Sequence, residues 1–288
     1  MPHRPSVPPE RTATCSPKNA SSTGRGTDTG DQARLPSASD PVAAAWSRLR
    51  NLTAARIGLA RSGPALATAP LLDFRLAHAR ARDAVHDELD ARGLAEQAQT
   101  LGLPILSVDS AAGDRRTYLM RPDLGRRLGR DAAVTLAAEA GEFDLAIVLA
   151  DGLSARAVQT HAVPVLAAAL PSLSADGWRI APLAIVRQGR VAIGDEVAGV
   201  LGACAVAVLI GERPGLSAPD SMGVYLTWQP RQDSSDADRN CISNIRPEGI
   251  GYSDAAFKLV FLLRECRARG RSGVSLKDLS EGQALLGG

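Results

Sequence analysis

Downstream of residue 100, short apolar runs alternate with stretches of helical periodicity. The runs Ile105–Val108, Leu145–Ala150, Leu183–Val186, Ala205–Ile210 and Val224–Trp228 are predicted strands. Several are continuously apolar, as expected where both faces of a strand are covered. Between and after them, Asp123–Ala140, Ser154–Leu170, Asp195–Leu201 and Asp254–Arg269 read as helices. Asp123, Ser154, Asp195 and Ser253 or Asp254 are suitable N-caps, because their side-chain oxygens can accept from first-turn amides. Pro164 is expected to bend or break the second helix, since it lacks an N–H and clashes with the preceding turn. This alternation predicts an α/β fold, a doubly wound and mostly parallel, Rossmann-like sheet over residues 101–288. Upstream, Leu71–Gln99 contains no proline and a single glycine, Gly93, and is predicted as one long helix within a helical region spanning 41–100.

Residues 1–40 follow a different pattern. They hold Pro2, Pro5, Pro8, Pro9, Pro17 and Pro36, and their large apolar side chains are Met1, Val7 and Leu35. Such a segment buries too little surface to offset the entropy of ordering it, so a disordered tail is expected. No amphipathic pattern marks it as a targeting peptide.

Composition narrows the function classes. With ten aromatic residues in 288, bases have few stacking platforms, and a net charge of +2 does not suit a phosphate-tracking surface. No apolar run reaches the 18 residues that a membrane span needs. Cys15, Cys204, Cys241 and Cys266 form no C-x-x-C pair, and their spacings suit neither zinc nor a disulfide framework. A reducing cytoplasm is the expected compartment.

In an open α/β sheet, ligands collect beyond the carboxyl ends of the strands. Those ends carry Asp109-Ser110, Asp151-Gly152-Leu153-Ser154, Arg187-Gln188-Gly189-Arg190-Val191 and Gly211-Glu212-Arg213-Pro214-Gly215, with Asp238–Arg246 after the last predicted strand. There is no Walker A sequence, no G-x-G-x-x-G after a strand and no G-x-S-x-G, which disfavours nucleotide-binding enzymes and serine hydrolases of those kinds. Two readings of Gly211–Gly215 stand side by side: an ordinary loop with a solvated Glu–Arg pair, or a polar rim on which Glu212 accepts hydrogen bonds from ligand amides. Asp151-Gly152 is either a turn leading into the Ser154 cap or a similar rim. Cys241 is either a small packing residue or, if His161 were brought to it, a nucleophile. His78 and His86 lie more than two helical turns apart, too far to share a metal. Arg264, Arg267, Arg269 and Arg271 suit the C-terminal end of a helix.

The same loops carry a family resemblance. Ala55-Arg56-Ile57-Gly58-Leu59 with Ser62-Gly63, Leu72–His86, Ser107–Pro122, Asp144–Ser154, Leu209–Leu216 and Asp238–Ile245 follow one another in the order found in the small subunit of ethanolamine ammonia-lyase. The resemblance extends from about Ala45 to Lys277.

It implies a subunit of a carbon–nitrogen lyase that converts ethanolamine to acetaldehyde and ammonia by a radical route, with adenosylcobalamin held between this chain and a large TIM-barrel subunit. Substrate and radical chemistry are implied to reside on the large subunit, so that this chain alone is inactive. The family's cofactor contacts carry over to Val191 in the Gly189-Arg190-Val191 loop, Glu212 in GERPG and Cys241 in CISN. The D-x-H-x-x-G pattern, by which other cobalamin proteins place a histidine on cobalt, is missing, so the cofactor is expected base-on. The polar face of the Leu72–His86 helix (Arg75, His78, Arg80, Arg82, Asp83) is expected to dock on the large subunit. A structural adaptor or a stand-alone α/β nucleotide-binding module remains the alternative.

Overall fold

The computed structural model describes residues 41–280, and the expectation for the tail lies outside them. The chain begins with α1 (Pro41–Arg50), a two-residue hairpin of β1 (Arg61–Ser62) and β2 (Ala65–Leu66), and the long α2 (Thr68–His86). Then follow α3 (Ala91–Ala98), β3 (Ile105–Asp109), α4 (Arg115–Met120), α5 (Arg130–Ala137), β4 (Phe143–Ala150) and α6 (Ala155–Ala175). The remainder is β5 (Leu183–Arg187), α7 (Ile193–Leu201), β6 (Ala203–Gly211), β7 (Met222–Trp228), β8 (Arg239–Ile245) and α8 (Tyr252–Arg269).

The α/β sheet runs in the order β3-β5-β4-β6-β7-β8. Its first four strands are mutually parallel, whereas β7 pairs antiparallel with β6 and β8 with β7. The sheet is therefore mixed. The link from β6 to β7 contains no helix and is too short for a crossover, so the chain turns back on itself. One face carries α3, α6 and α8 over Leu145, Ile147, Leu149, Ala207 and Leu209. The other carries α5 and α7 over Ala146, Val148, Val206 and Val208. This alternation explains why β4 and β6 read as unbroken apolar runs: successive side chains enter opposite, equally dry layers.

Several sequence expectations need correction. Leu71–Gln99 is two helices, not one. The chain is extended at Asp87, Leu89 inserts into the core at 7% exposure, and Asp90 restarts the helix by accepting from Gly93 N at 2.9 Å. Burying Leu89 and Leu94 favours the break over continuity of good helix formers. Asp123–Ala140 is likewise interrupted: a 3₁₀ turn at Leu124–Arg126 precedes α5, whose N-cap is Gly129. Helix α4 escaped the periodicity because it is six residues long, yet Asp114 caps it at 2.8 Å to Thr117 N.

Pro164 does not break α6, which also accommodates Pro171. Fully buried Ala162, Val165, Leu166, Ala169 and Leu173 hold that helix on the sheet despite the lost amides. Asp195 is not a cap but lies within α7, and α8 is capped by Gly251 instead of Ser253 or Asp254. Finally, Arg239–Ile245 is a strand and not a loop. Its sequence hides this because Arg239 occupies a buried position, where it forms a two-pronged pair with Asp195 at 2.8 and 2.6 Å.

Candidate functional site

The carboxyl edge is where the chain switches faces: β4 leads to α6 on one layer, and β5 leads to α7 on the other. The loops after β4, β5 and β6 consequently diverge around an opening. Its floor is backbone. Gly152 has φ of +56°, and a Cβ built on it would lie 2.2 Å from Gly211 O. A Cβ on Gly211 would lie 2.0 Å from Ser154 O. Only glycine permits two chains to touch this closely, and Leu153 N donates to Gly211 O at 3.0 Å across the same junction.

Above this floor is a cavity of 410 Å³ lined by Tyr118, Gly152, Leu153, Arg190, Val191, Ile210, Glu212, Arg213 and Tyr225 among others. Val191 and Glu212, singled out from different loops, thus share one opening. Val191 and Arg190 also border a second cavity of 600 Å³, where Arg126, Arg127 and Arg239 face Asp195, Glu196 and Asp236. Cys241 does not line the first cavity. It sits in β8 as the cross-strand partner of Tyr225, and Tyr225 does line it. The three predicted residues therefore come together, two directly and one through Tyr225.

Glu212 is not paired with Arg213 as the solvated-loop reading supposed. Its two carboxylate oxygens accept from Asn244 N at 3.2 Å each, tying the β6 loop to the end of β8. The thiol of Cys241 is pushed above its ordinary value, first by desolvation and then by the Glu212 carboxylate. A thiol held protonated is a poor nucleophile. His161 is committed elsewhere: Nδ1 is 2.9 Å from the Tyr252 hydroxyl and Nε2 is 3.0 Å from Asp220 O. The Cys–His arrangement is therefore not assembled.

Two groups beside the opening have contacts that the sequence reading did not anticipate. Tyr118, in α4, is stacked between Arg115 and Arg190, whose guanidinium carbons lie 4.8 and 4.4 Å from its ring centre. Burial pushes its phenol up to about 12. Its signal lay in the Ser107–Pro122 segment, but one aromatic in a short helix has no period to betray it. Asp151 is the second. The turn reading was right for Gly152, yet Ser154 makes no cap bond and instead donates its hydroxyl to Pro219 O at 3.0 Å. Asp151 itself is fully buried and accepts from Gln188 N and Gly189 N, both at 2.9 Å.

Fold and cleft together define an α/β protein with a ligand-sized opening at the carboxyl edge of its sheet. Its family is set by sequence: the model of the ethanolamine ammonia-lyase light chain matches residues 43–277. Ethanolamine ammonia-lyase small subunits are similar over most of their length. That of Azotobacter vinelandii is 52% identical over 258 residues, covering 88% of this chain and 94% of the relative. That of Pseudomonas putida is 52% identical over 256 residues, with 88% and 93% covered. That of Xanthomonas campestris pv. campestris is 54% identical over 251 residues, with 86% and 92% covered. The chain belongs to the ethanolamine ammonia-lyase light-chain family.

Proposed function

We propose that this chain is the cofactor-holding half of an adenosylcobalamin-dependent ethanolamine ammonia-lyase, working against a large subunit that binds ethanolamine. The meeting of Val191 and Glu212 at one cavity, with Cys241 paired across the strands to Tyr225 in its lining, carries this reading. The chemistry of the lining fits the group. Val191 offers apolar surface to the flat corrin, and Glu212 offers acceptor lone pairs to its amide arms. The Gly152–Gly211 floor lets backbone approach closely. Charge-assisted bonds of the Glu212 kind are worth about 1.5–3 kcal/mol where solvent is excluded.

When bound, the cofactor supplies a homolytically cleaved cobalt–carbon bond and hence the radical that starts the reaction. This chain's residues supply shape, orientation and exclusion of water. They move no proton: the carboxylate of Glu212 accepts hydrogen bonds only, and Cys241 keeps its thiol proton. The cavity lining includes no histidine, so none of its residues would supply an imidazole to the cofactor's cobalt. The outward face of α2 docks on the large subunit, so the cleft is completed only in the assembly.

The test is coexpression with the large subunit, followed by cobalamin binding and ammonia release from ethanolamine. Glu212→Ala should raise the cobalamin dissociation constant about tenfold while leaving copurification intact. Unchanged affinity would favour the adaptor reading.

A further inference from the structure

Asp151 and Arg115 form a buried pair beneath the cleft that no step above uses. Their side chains are 0% and 6% exposed, with Arg115 Nη1 3.5 Å from Asp151 Oδ2. Burying two charges costs several kcal/mol unless further hydrogen bonds satisfy them, so what else the pair holds is informative. Asp151 takes the amides of Gln188 and Gly189. That grip matters because Gln188 is a non-glycine residue at φ 55°, a left-handed conformation that must be enforced from outside. Arg115 Nη1 donates to Gly152 O at 2.9 Å and lies 3.4 Å from Gln188 Oε1. Its Nε donates to Val85 O at 2.7 Å, near the end of α2. One ion pair therefore ties together the loop after β4, the loop that presents Arg190 and Val191, and the helix that leaves the body.

We infer that Asp151 and Arg115 are positioning residues for the cobalamin cleft, fixing the Gln188–Val191 loop against the loop after β4 so that the ligand meets a preformed rim. The inference rests on the cobalamin reading above. The pair touches no cofactor; it acts through backbone.

A pH signature follows. Burial raises the Asp151 carboxyl to about 6, against the opposing influence of Arg115 and the two amides. The other charged or titratable groups around it are Tyr118 of α4, Arg187 of β5, and Arg190, stacked on Tyr118 in the loop that follows β5. From β6 the Gly211 backbone comes close. Protonation of Asp151 removes the charge that grips the loop, so cobalamin affinity should fall as pH drops through about 6. The effect on folding has the opposite sign: a carboxyl whose value is raised in the folded state favours folding more when protonated.

The experiment measures cyanocobalamin binding by the coexpressed assembly between pH 7.5 and 5.5, for the unmodified protein, Asp151→Asn and Glu212→Ala. The unmodified protein should lose affinity roughly threefold by the acid end, and Asp151→Asn should be about tenfold weaker at pH 7.5 with a flat profile. An Asp151→Asn variant with unmodified affinity overturns the inference. So does one that is weaker at every pH but keeps the unmodified profile, because a merely structural role would give that result. If Glu212→Ala leaves binding unchanged, the cobalamin reading fails and takes the inference with it. If Glu212→Ala weakens binding and Asp151→Asn does not, only the positioning role fails. Should Asp151→Asn not assemble, Arg115→Lys replaces it. Losing the guanidinium fork should move the midpoint of the profile upward, and an unmoved midpoint overturns the inference.

Discussion

The sheet body and the N-terminal arm are built on opposite principles. In the body, β4 is buried from Leu145 to Ala150 and α6 buries nine residues, so most apolar side chains of these two elements already have partners. In the arm, α2 is nineteen residues long yet buries only Ala84. Leu72 is 56% exposed, Leu76 50% and Phe74 38%. Arg80 and Asp83, both exposed, border a cleft with Arg156 and Asp220, so the free surface of α2 combines charge with these apolar side chains. A helix this long gains little from propensity alone and normally depends on packing. The contrast sets a body packed on itself against an arm whose apolar side chains are left open within this chain, on the helix proposed to dock on the large subunit.

The largest effect should come from the buried pair of the body. Arg239→Ala leaves Asp195 uncompensated and should cost about 3–5 kcal/mol, read as a sharp fall in the thermal midpoint. Next, Leu149→Ala opens a cavity in the dry layer beneath α6 and should cost about 2–5 kcal/mol. The comparable truncation in the arm, Leu76→Ala, should change stability by about 0.5 kcal/mol or less. Equal losses at Leu149 and Leu76 in denaturation curves would erase the distinction.

The arm should instead respond in assembly. Leu72→Ser with Leu76→Ser, or Arg80→Ala with Arg82→Ala, should reduce copurification with the large subunit. Amide exchange along α2 should slow when that subunit is present, with β4 and β6 unaltered; an α2 already protected without it would contradict the arm's role.

A modest effect in the body concerns His161, whose value is lowered mainly by burial, against the hydrogen bond to Asp220 O. A base held neutral by the fold stabilises above its unfolded value, about 6.5, and that contribution is lost as pH falls toward the lower folded value. Tyr252→Phe removes the partner of Nδ1 and should cost about 1 kcal/mol at neutral pH.

The alternation of apolar runs made β3 to β7 legible, most plainly β4, β5 and β6, because a strand covered on both faces needs a continuous apolar sequence. Arg239–Ile245 was not legible as a strand: its buried positions include an arginine neutralised by Asp195, and the register with β7 shifts between Met222 and Val224. The break after α2 was equally hidden, since only the packing of Leu89 distinguishes it from a continuing helix. At the site, the loop positions of Val191 and Glu212 could be read from topology. Cys241 was read in its sequence neighbourhood but assigned to the wrong kind of element. Tyr118 and the Asp151 grip escaped because they join segments 36 to 73 residues apart along the chain through contacts such as Arg115 to Gln188 and Tyr118 to Arg190, which no local pattern encodes.

The glycine pair at the floor of the cleft has a consequence for how such a protein diversifies. Where Gly152 and Gly211 meet, peptide rests on peptide, and a new side chain has nowhere to go. That junction behaves as a fixed hinge-pin shared by two loops, deaf to mutation. Any change in what the opening admits must therefore be written farther out, on Arg213 and the residues beyond it, where exposed chain can vary without prying the sheet apart.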